Sequence, residues 1–162
     1  MIDMTAHEDN LALSSMVELS TSEFVLHRKP MLLLDRLLDI EPLMAACEWR
    51  VNRNDHFFLP GRGVPTYIGI EHMAQCIAIH AGALERAEGF PPPLGLLLGT
   101  RFYRANERYF LEGETYQVEC EKLLGDFDGM GSFDCSISTG NRVIVQARLS
   151  VLQKPRGEYT HG

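Results

Sequence analysis

The chain is 162 residues long, 45% hydrophobic and 9% aromatic, enough apolar material for one domain with a real core. Its formal charge of -7 argues against nucleic acid as the main partner, because phosphate recognition needs a basic surface. The longest apolar runs, residues 31–34 and 94–98, are far too short for a membrane span, and the acidic N-terminus has no secretory n-region, so a cytoplasmic location is expected.

Residues 1–21 are polar and aperiodic and read as a mobile extension. The domain is expected over 22–153, with 154–162, which holds Pro155 and Gly157, as a tail. A helical turn near 22–26 leads to His27-Arg28-Lys29-Pro30, and apolar runs at 31–40 and 45–51 read as strands joined by a turn at Glu41-Pro42. A loop rich in Gly and Pro fills 52–65.

Thr66 is the expected N-cap of a helix running to about Ala87, stopped by Gly89 and Pro91-Pro92-Pro93. Ile70, Met73, Ala74, Ile77, Ala81 and Leu84 recur at helical spacing, while Ala78 and Gly82 let a neighbouring backbone come close. At 1.5 Å per residue this helix is roughly 30 Å long. Strands are expected at 94–103, 115–124, 131–139 and 142–153, the last two forming a hairpin through Ser138-Thr139-Gly140-Asn141. One long helix followed by a meander of long strands is an α+β pattern, with an antiparallel sheet curling round the helix.

The chemistry centres on Glu71, which opens a helix that otherwise reads as buried. Burying an ionised carboxylate is costly, so such a group is paired or held protonated, and a neutral acid in an apolar cleft is a ready proton donor. His56, in the loop before the helix, and His27, before the first strand, are rival bases. Gln75, one turn beyond Glu71, is placed to orient it. His72 and His80 are assigned to the flanks of the helix. His72 and Cys76 have metal-ligand spacing but no third ligand, and the four cysteines (Cys47, Cys76, Cys120, Cys135) form no CxxC pair, so they read as reduced, buried thiols.

Several segments together resemble a known family. His27-Arg28-Lys29-Pro30-Met31-Leu32-Leu33-Leu34-Asp35-Arg36, Glu71-His72-Met73-Ala74-Gln75, Arg101-Phe102-Tyr103-Arg104 and Gly131-Ser132-Phe133 resemble, in order, the motifs of hot-dog-fold 3-hydroxyacyl-[acyl carrier protein] dehydratases. The likeness is greatest to the divergent branch of aryl polyene pathways. It implies a hot-dog fold and elimination of water to a trans-2-enoyl thioester, without metal or organic cofactor. It also implies a homodimer with the site at the subunit interface, although a heterologous synthase partner stays open.

The family's Gly-His-Phe-Pro-Gly loop is altered here to His56-Phe57-Phe58-Leu59-Pro60-Gly61, so the base does not carry over by alignment, whereas Glu71 does. Gly69 at the helix start, Pro60 and Gly61 in the loop, and Met73 and Phe102 beside the Leu-rich run and Met130 make up the expected substrate-binding set. Arg101, Arg104 and Arg108, with Arg28, Lys29 and Arg62, are a basic cluster suited to an acidic acyl carrier protein. Strand alternation puts Arg104 on the face opposite Arg101, so all six cannot share one patch. An acyl thioesterase, or a non-catalytic acyl-carrier-binding partner of a dehydratase, are the competing readings of the same residues.

Overall fold

A computed structural model describes residues 4–123 and 128–156. Helix α1 (Met4–Ser14) is followed by 3-10 turns at Ser15–Glu18 and Thr21–Glu23. Strands β1 (Arg36–Glu41), β2 (Met44–Arg50) and the short β3 (Val64–Pro65) precede helix α2 (Gly69–Ala87). After it come β4 (Gly95–Ala105), β5 (Tyr109–Phe110), β6 (Thr115–Lys122), β7 (Met130–Thr139) and β8 (Arg142–Gln153).

Six strands form one antiparallel sheet in the order β1-β2-β6-β7-β8-β4, and β3 pairs with β5 as a small ribbon. Helix α2 packs across β2, β6 and β7, so the expected α+β arrangement of a sheet round one long helix is what the chain adopts. Alternation drives it: β6 reads exposed-buried from Thr115 onwards, with Tyr116, Val118 and Cys120 turned inward against Met73, Cys76 and Ile79 of α2. Each such side chain, once fully buried, contributes roughly 2 kcal/mol. The β7–β8 hairpin turns on Gly140 and Asn141 as expected, with Gly140 at φ 56°, where a residue with a Cβ is strained.

Several local expectations are corrected. Residues 31–34 do not join the β1 ladder, because several of their backbone groups are held elsewhere, whereas Asp35 N already reaches Glu48 O of β2. Gln75 binds Met31 O and Leu33 N, and Thr21 Oγ1 donates to Leu34 O. Thr66 does not cap α2. Its hydroxyl donates to the carbonyls of Glu107 and Arg108, and a 3-10 turn at Thr66–Ile68 leads into the helix instead. The described part of the expected N-terminal extension carries α1, with Leu13 and Met16 buried in the core. Those two isolated apolar residues show no periodicity in sequence but find a hydrophobic surface in the fold.

Close approach is real at Gly82, where a Cβ would meet Phe24 O at 1.8 Å, so only glycine lets that backbone lie on α2. Ala78, by contrast, faces an open cavity. His72 and His80 are not on the flanks but buried, each only 2% exposed. His72 packs on Trp49 with ring centroids 3.9 Å apart and donates from Nδ1 to Ile68 O, while His80 Nε2 lies 3.0 Å from Glu41 O. All four cysteines are free and buried. Hydrogen bonds with the Cys120 and Cys47 thiols, then burial, hold the Cys76 thiol well above its usual pKa.

Burial lowers the pKa of His72 to about 4 and also lowers that of His80. Between pH 6.5 and 4 the unfolded chain therefore binds a proton at His72 that the folded chain does not, so stability falls as pH falls. The drop from this residue is about 3 kcal/mol. Urea unfolding of wild type and His72→Phe across that window is expected to give a shallower slope for the variant.

Candidate active site

Two elements build the site: the first turns of α2, and the irregular strap 27–35 that crosses them. The strap cannot be a ladder strand, so its polar backbone groups need side-chain partners. Gln75, 1% exposed, provides them. Its Oε1 accepts from Leu33 N at 2.8 Å, and its Nε2 donates to Met31 O at 2.7 Å and to Glu71 Oε1 at 3.0 Å. Both amide protons and the amide oxygen are thus used.

Glu71 lies one turn before Gln75 on α2, with its side chain 37% exposed rather than buried as expected. The strap brings the His27 ring to it: His27 Nε2 is 3.7 Å from Glu71 Oε1. That is too long for a direct hydrogen bond and leaves room for a reacting group beside both. His27 Nδ1 is buried without a hydrogen-bond partner among the described residues, and Nε2 is the ring nitrogen that faces Glu71. The Gln75 donor fixes Glu71 Oε1 as an acceptor, which leaves Oε2 as the oxygen able to carry a proton.

His27, Glu71 and Gln75 share a cavity of about 660 Å³ that runs along α2 between the helix and the ends of β4, β7 and β8. Such a volume suits an extended small ligand. His56 lies elsewhere, in a smaller cavity of about 160 Å³ with Asp55, Trp49 and His72 on the other side of the strap. Within one chain the structure therefore brings together Glu71, Gln75 and His27, and does not bring His56 to them.

The expected substrate-binding set is redistributed. Met73 is fully buried in the core, and Gly69 has no room beside it: a Cβ there would lie 2.9 Å from Tyr103 Oη and 3.0 Å from the Ile137 side chain. The Tyr103 hydroxyl donates to Thr66 O, and burial pushes its pKa up to about 12. Pro60 and Gly61 lie exposed in their loop, and neither lines either cavity. Phe102 and Met130 are half exposed and also outside the large cavity. From the Leu-rich run, Leu96 and Leu97 do line it.

The residues that sequence reasoning missed are Ala74, Ala78 and Ala81, which form the helix wall of the cavity. Their helical spacing was visible, but an apolar stripe reads equally as core. Arg101, Arg104 and Arg108 are exposed, on β4 and the turn after it, and make no carboxylate pair among the described residues, unlike Arg36, Arg53, Arg86, Arg142, Arg148 and Arg156.

Among the described residues no group of three or more His, Cys, Asp or Glu side chains is arranged to hold a metal ion, and no helix is long and apolar enough to cross a membrane. Replacing Gln75 with Ala strands Met31 O and Leu33 N and loosens Glu71. The expected cost is about 2–4 kcal/mol in urea unfolding, since each stranded buried group costs about 1–3 kcal/mol.

Comparison with known proteins bears on this geometry. A curated relative, the 3-hydroxyacyl-[acyl-carrier-protein] dehydratase FabZ of Clostridium acetobutylicum, is 32% identical over 104 residues, covering 61% of this chain and 71% of that protein. The dehydratase heterocomplex ApeI:P from Xenorhabdus doucetiae contains a chain with TM-score 0.79 and 28% identity, covering 85% of this chain and 93% of that one. A hypothetical thioesterase of Streptococcus pneumoniae, with coenzyme A, has TM-score 0.57 at 8% identity over 73% of this chain and 84% of its own, a likeness of fold alone. The hot-dog fold expected from the sequence is thereby established. The family model described as ApeP dehydratase matches residues 19–161, and the chain belongs to this ApeP-like family of dehydratases.

Proposed function

We propose that the protein eliminates water from a 3-hydroxyacyl thioester carried by an acyl carrier protein, with His27 as base and Glu71 as acid. The observation that carries this reading is the His27–Glu71 pair, 3.7 Å apart at one end of a long cavity. His27 Nε2 takes the C2 proton. The C2–H electrons form the C2=C3 bond as the C3–O bond breaks, and Glu71 Oε2 protonates the departing hydroxyl to release water. The proton on His27 then returns to Glu71 through the released water, which bridges the gap and resets both groups. The reaction is redox-neutral and needs no group beyond these side chains.

The start of α2 supports the carbonyl end of the reaction. The helix dipole favours negative charge developing on a thioester oxygen near its first turn. Gln75 is a positioning residue in this scheme.

Its partner is an acidic acyl carrier protein presenting a phosphopantetheine-linked chain, and the unpaired Arg101, Arg104 and Arg108 support that docking. The sheet ends on β4, an edge strand of 11 residues carrying exposed Leu96, Leu97, Leu98 and Phe102. A long apolar edge invites strand pairing, which supports assembly with a second hot-dog subunit, a homodimer being the simplest form. A cytoplasmic location belongs to the same reading, as does a place in aryl polyene or related synthesis.

Two experiments test this. Incubation with a 3-hydroxyacyl-carrier substrate, followed by mass, is expected to show loss of one water with wild type and with His56→Ala. Glu71→Gln and His27→Ala are expected to slow it at least 100-fold, the usual weight of a general acid or base. Release of the free carrier thiol instead would make the protein a thioesterase, and binding without turnover a partner subunit. For docking, combined Arg101→Glu, Arg104→Glu and Arg108→Glu substitution is expected to raise KM for the carrier-bound substrate about tenfold at low salt. KM for the same acyl group on free pantetheine is expected to stay unchanged.

A further inference from the structure

We propose that Ala78 and Ala81 set the length of acyl chain the cavity admits, and that Arg156 closes its far end. The inference rests on the reading that His27 and Glu71 mark the reacting end. Most of α2 is buried, but Glu71, Ala74, Ala78, Ala81 and Glu85, spaced by three and four residues, form a half-buried stripe. Ala74, Ala78 and Ala81 of that stripe face the cavity with methyl groups only, and Ile77 is the larger apolar side chain that α2 adds between them.

The opposite wall carries Leu96 and Leu97 of β4, Phe133 of β7 and Val151 and Leu152 of β8, beside the polar Lys122, Gln153 and Lys154. A groove that follows the helix axis between these apolar side chains fits an extended, unbranched hydrocarbon. Its length follows from the helix: ten residues from Glu71 to Ala81, at 1.5 Å each, are roughly 15 Å. An extended chain advances about 1.25 Å per tetrahedral C–C bond of about 1.5 Å, so roughly twelve carbons reach Ala81 and roughly eight reach Ala78.

Beyond Ala81 the cavity meets a different surface. Arg156 follows β8 and donates to Glu85 Oε2 at 2.8 Å and to Glu88 Oε2 at 2.6 Å, and its guanidinium lies 3.6 Å from the centre of the Phe90 ring. These contacts strap the chain across the last turn of α2 and put a cation at the end of the groove. A longer chain must displace that strap. Because Arg156 is half exposed, the strap is a removable stop rather than part of the core.

The test is calorimetric binding of non-cleavable 3-hydroxyacyl-pantetheine thioethers to the whole protein, with chains of roughly 4, 8, 12 and 16 carbons, each buried methylene being worth up to about fourfold in affinity. Wild-type affinity is expected to climb to about twelve carbons and then level off. With Ala81→Phe the climb is expected to stop near eight carbons, and with Arg156→Ala to continue to about sixteen. Parallel length profiles for all three proteins, or a wild-type profile indifferent to length, overturn the proposal. Thermal unfolding of each variant separates a filled channel from a damaged fold. Water loss from a short carrier-bound substrate is scored separately: its absence in wild type defeats the dehydration reading while the binding profiles still decide the ruler.

Discussion

The site depends on one buried amide. Gln75 spends all three of its polar positions that the strap and the acid can reach: the oxygen on Leu33 N, one proton on Met31 O, the other on Glu71 Oε1. The first two bonds hold residues 31–33 against α2, outside the β1 ladder. The third holds Glu71 Oε1 as an acceptor and leaves Oε2 outside that contact. His27 stands beside Glu71 because the strap that carries it is held by the same side chain that holds Glu71. A donor–acceptor set of this kind, wholly satisfied at a buried amide, is the usual way a site is kept in register.

Helix α2 then serves two purposes along two faces. One face is core, and it buries even polar side chains: His72 is kept neutral against Trp49, and His80 is held on the carbonyls of the β1–β2 turn. The other is the stripe from Glu71 to Glu85, where a carboxylate at each end brackets three alanines. The first carboxylate meets the imidazole, and the second holds Arg156. A rigid helix with a chemical end and a strapped end is a natural frame for a reaction on one terminus of a long apolar chain.

Much of this was legible in the sequence, for physical reasons that differ by residue. The helix and the β7–β8 hairpin follow from apolar spacing and turn chemistry, and the pairing of Glu71 with Gln75 follows from one helical turn. The strap did not, because residues 31–34 have the composition of a strand; only the tertiary demand of Gln75 and Thr21 on their backbone keeps them out of the sheet. Histidine burial was misread at positions 72 and 80, since a ring that can be satisfied by a carbonyl and an aromatic neighbour looks in sequence like any polar residue. Gly69 and Met73 were assigned to substrate, yet the space at Gly69 is filled by Tyr103 and Ile137, and Met73 is core. Which histidine shares a cavity with Glu71 depends on how the strap crosses the helix, a long-range fact with no local signature.

The central claim is that the reaction takes place between His27 and Glu71, at the head of the alanine-lined cavity. The most direct measurement is a crystal structure of the wild-type protein with a non-cleavable 3-hydroxyacyl-pantetheine analogue. The expected pose puts the C3 hydroxyl on Glu71, C2 facing His27 Nε2, and the chain along Ala74, Ala78 and Ala81. An analogue whose reacting carbons sit against His56, with the Glu71 cavity empty, would contradict it.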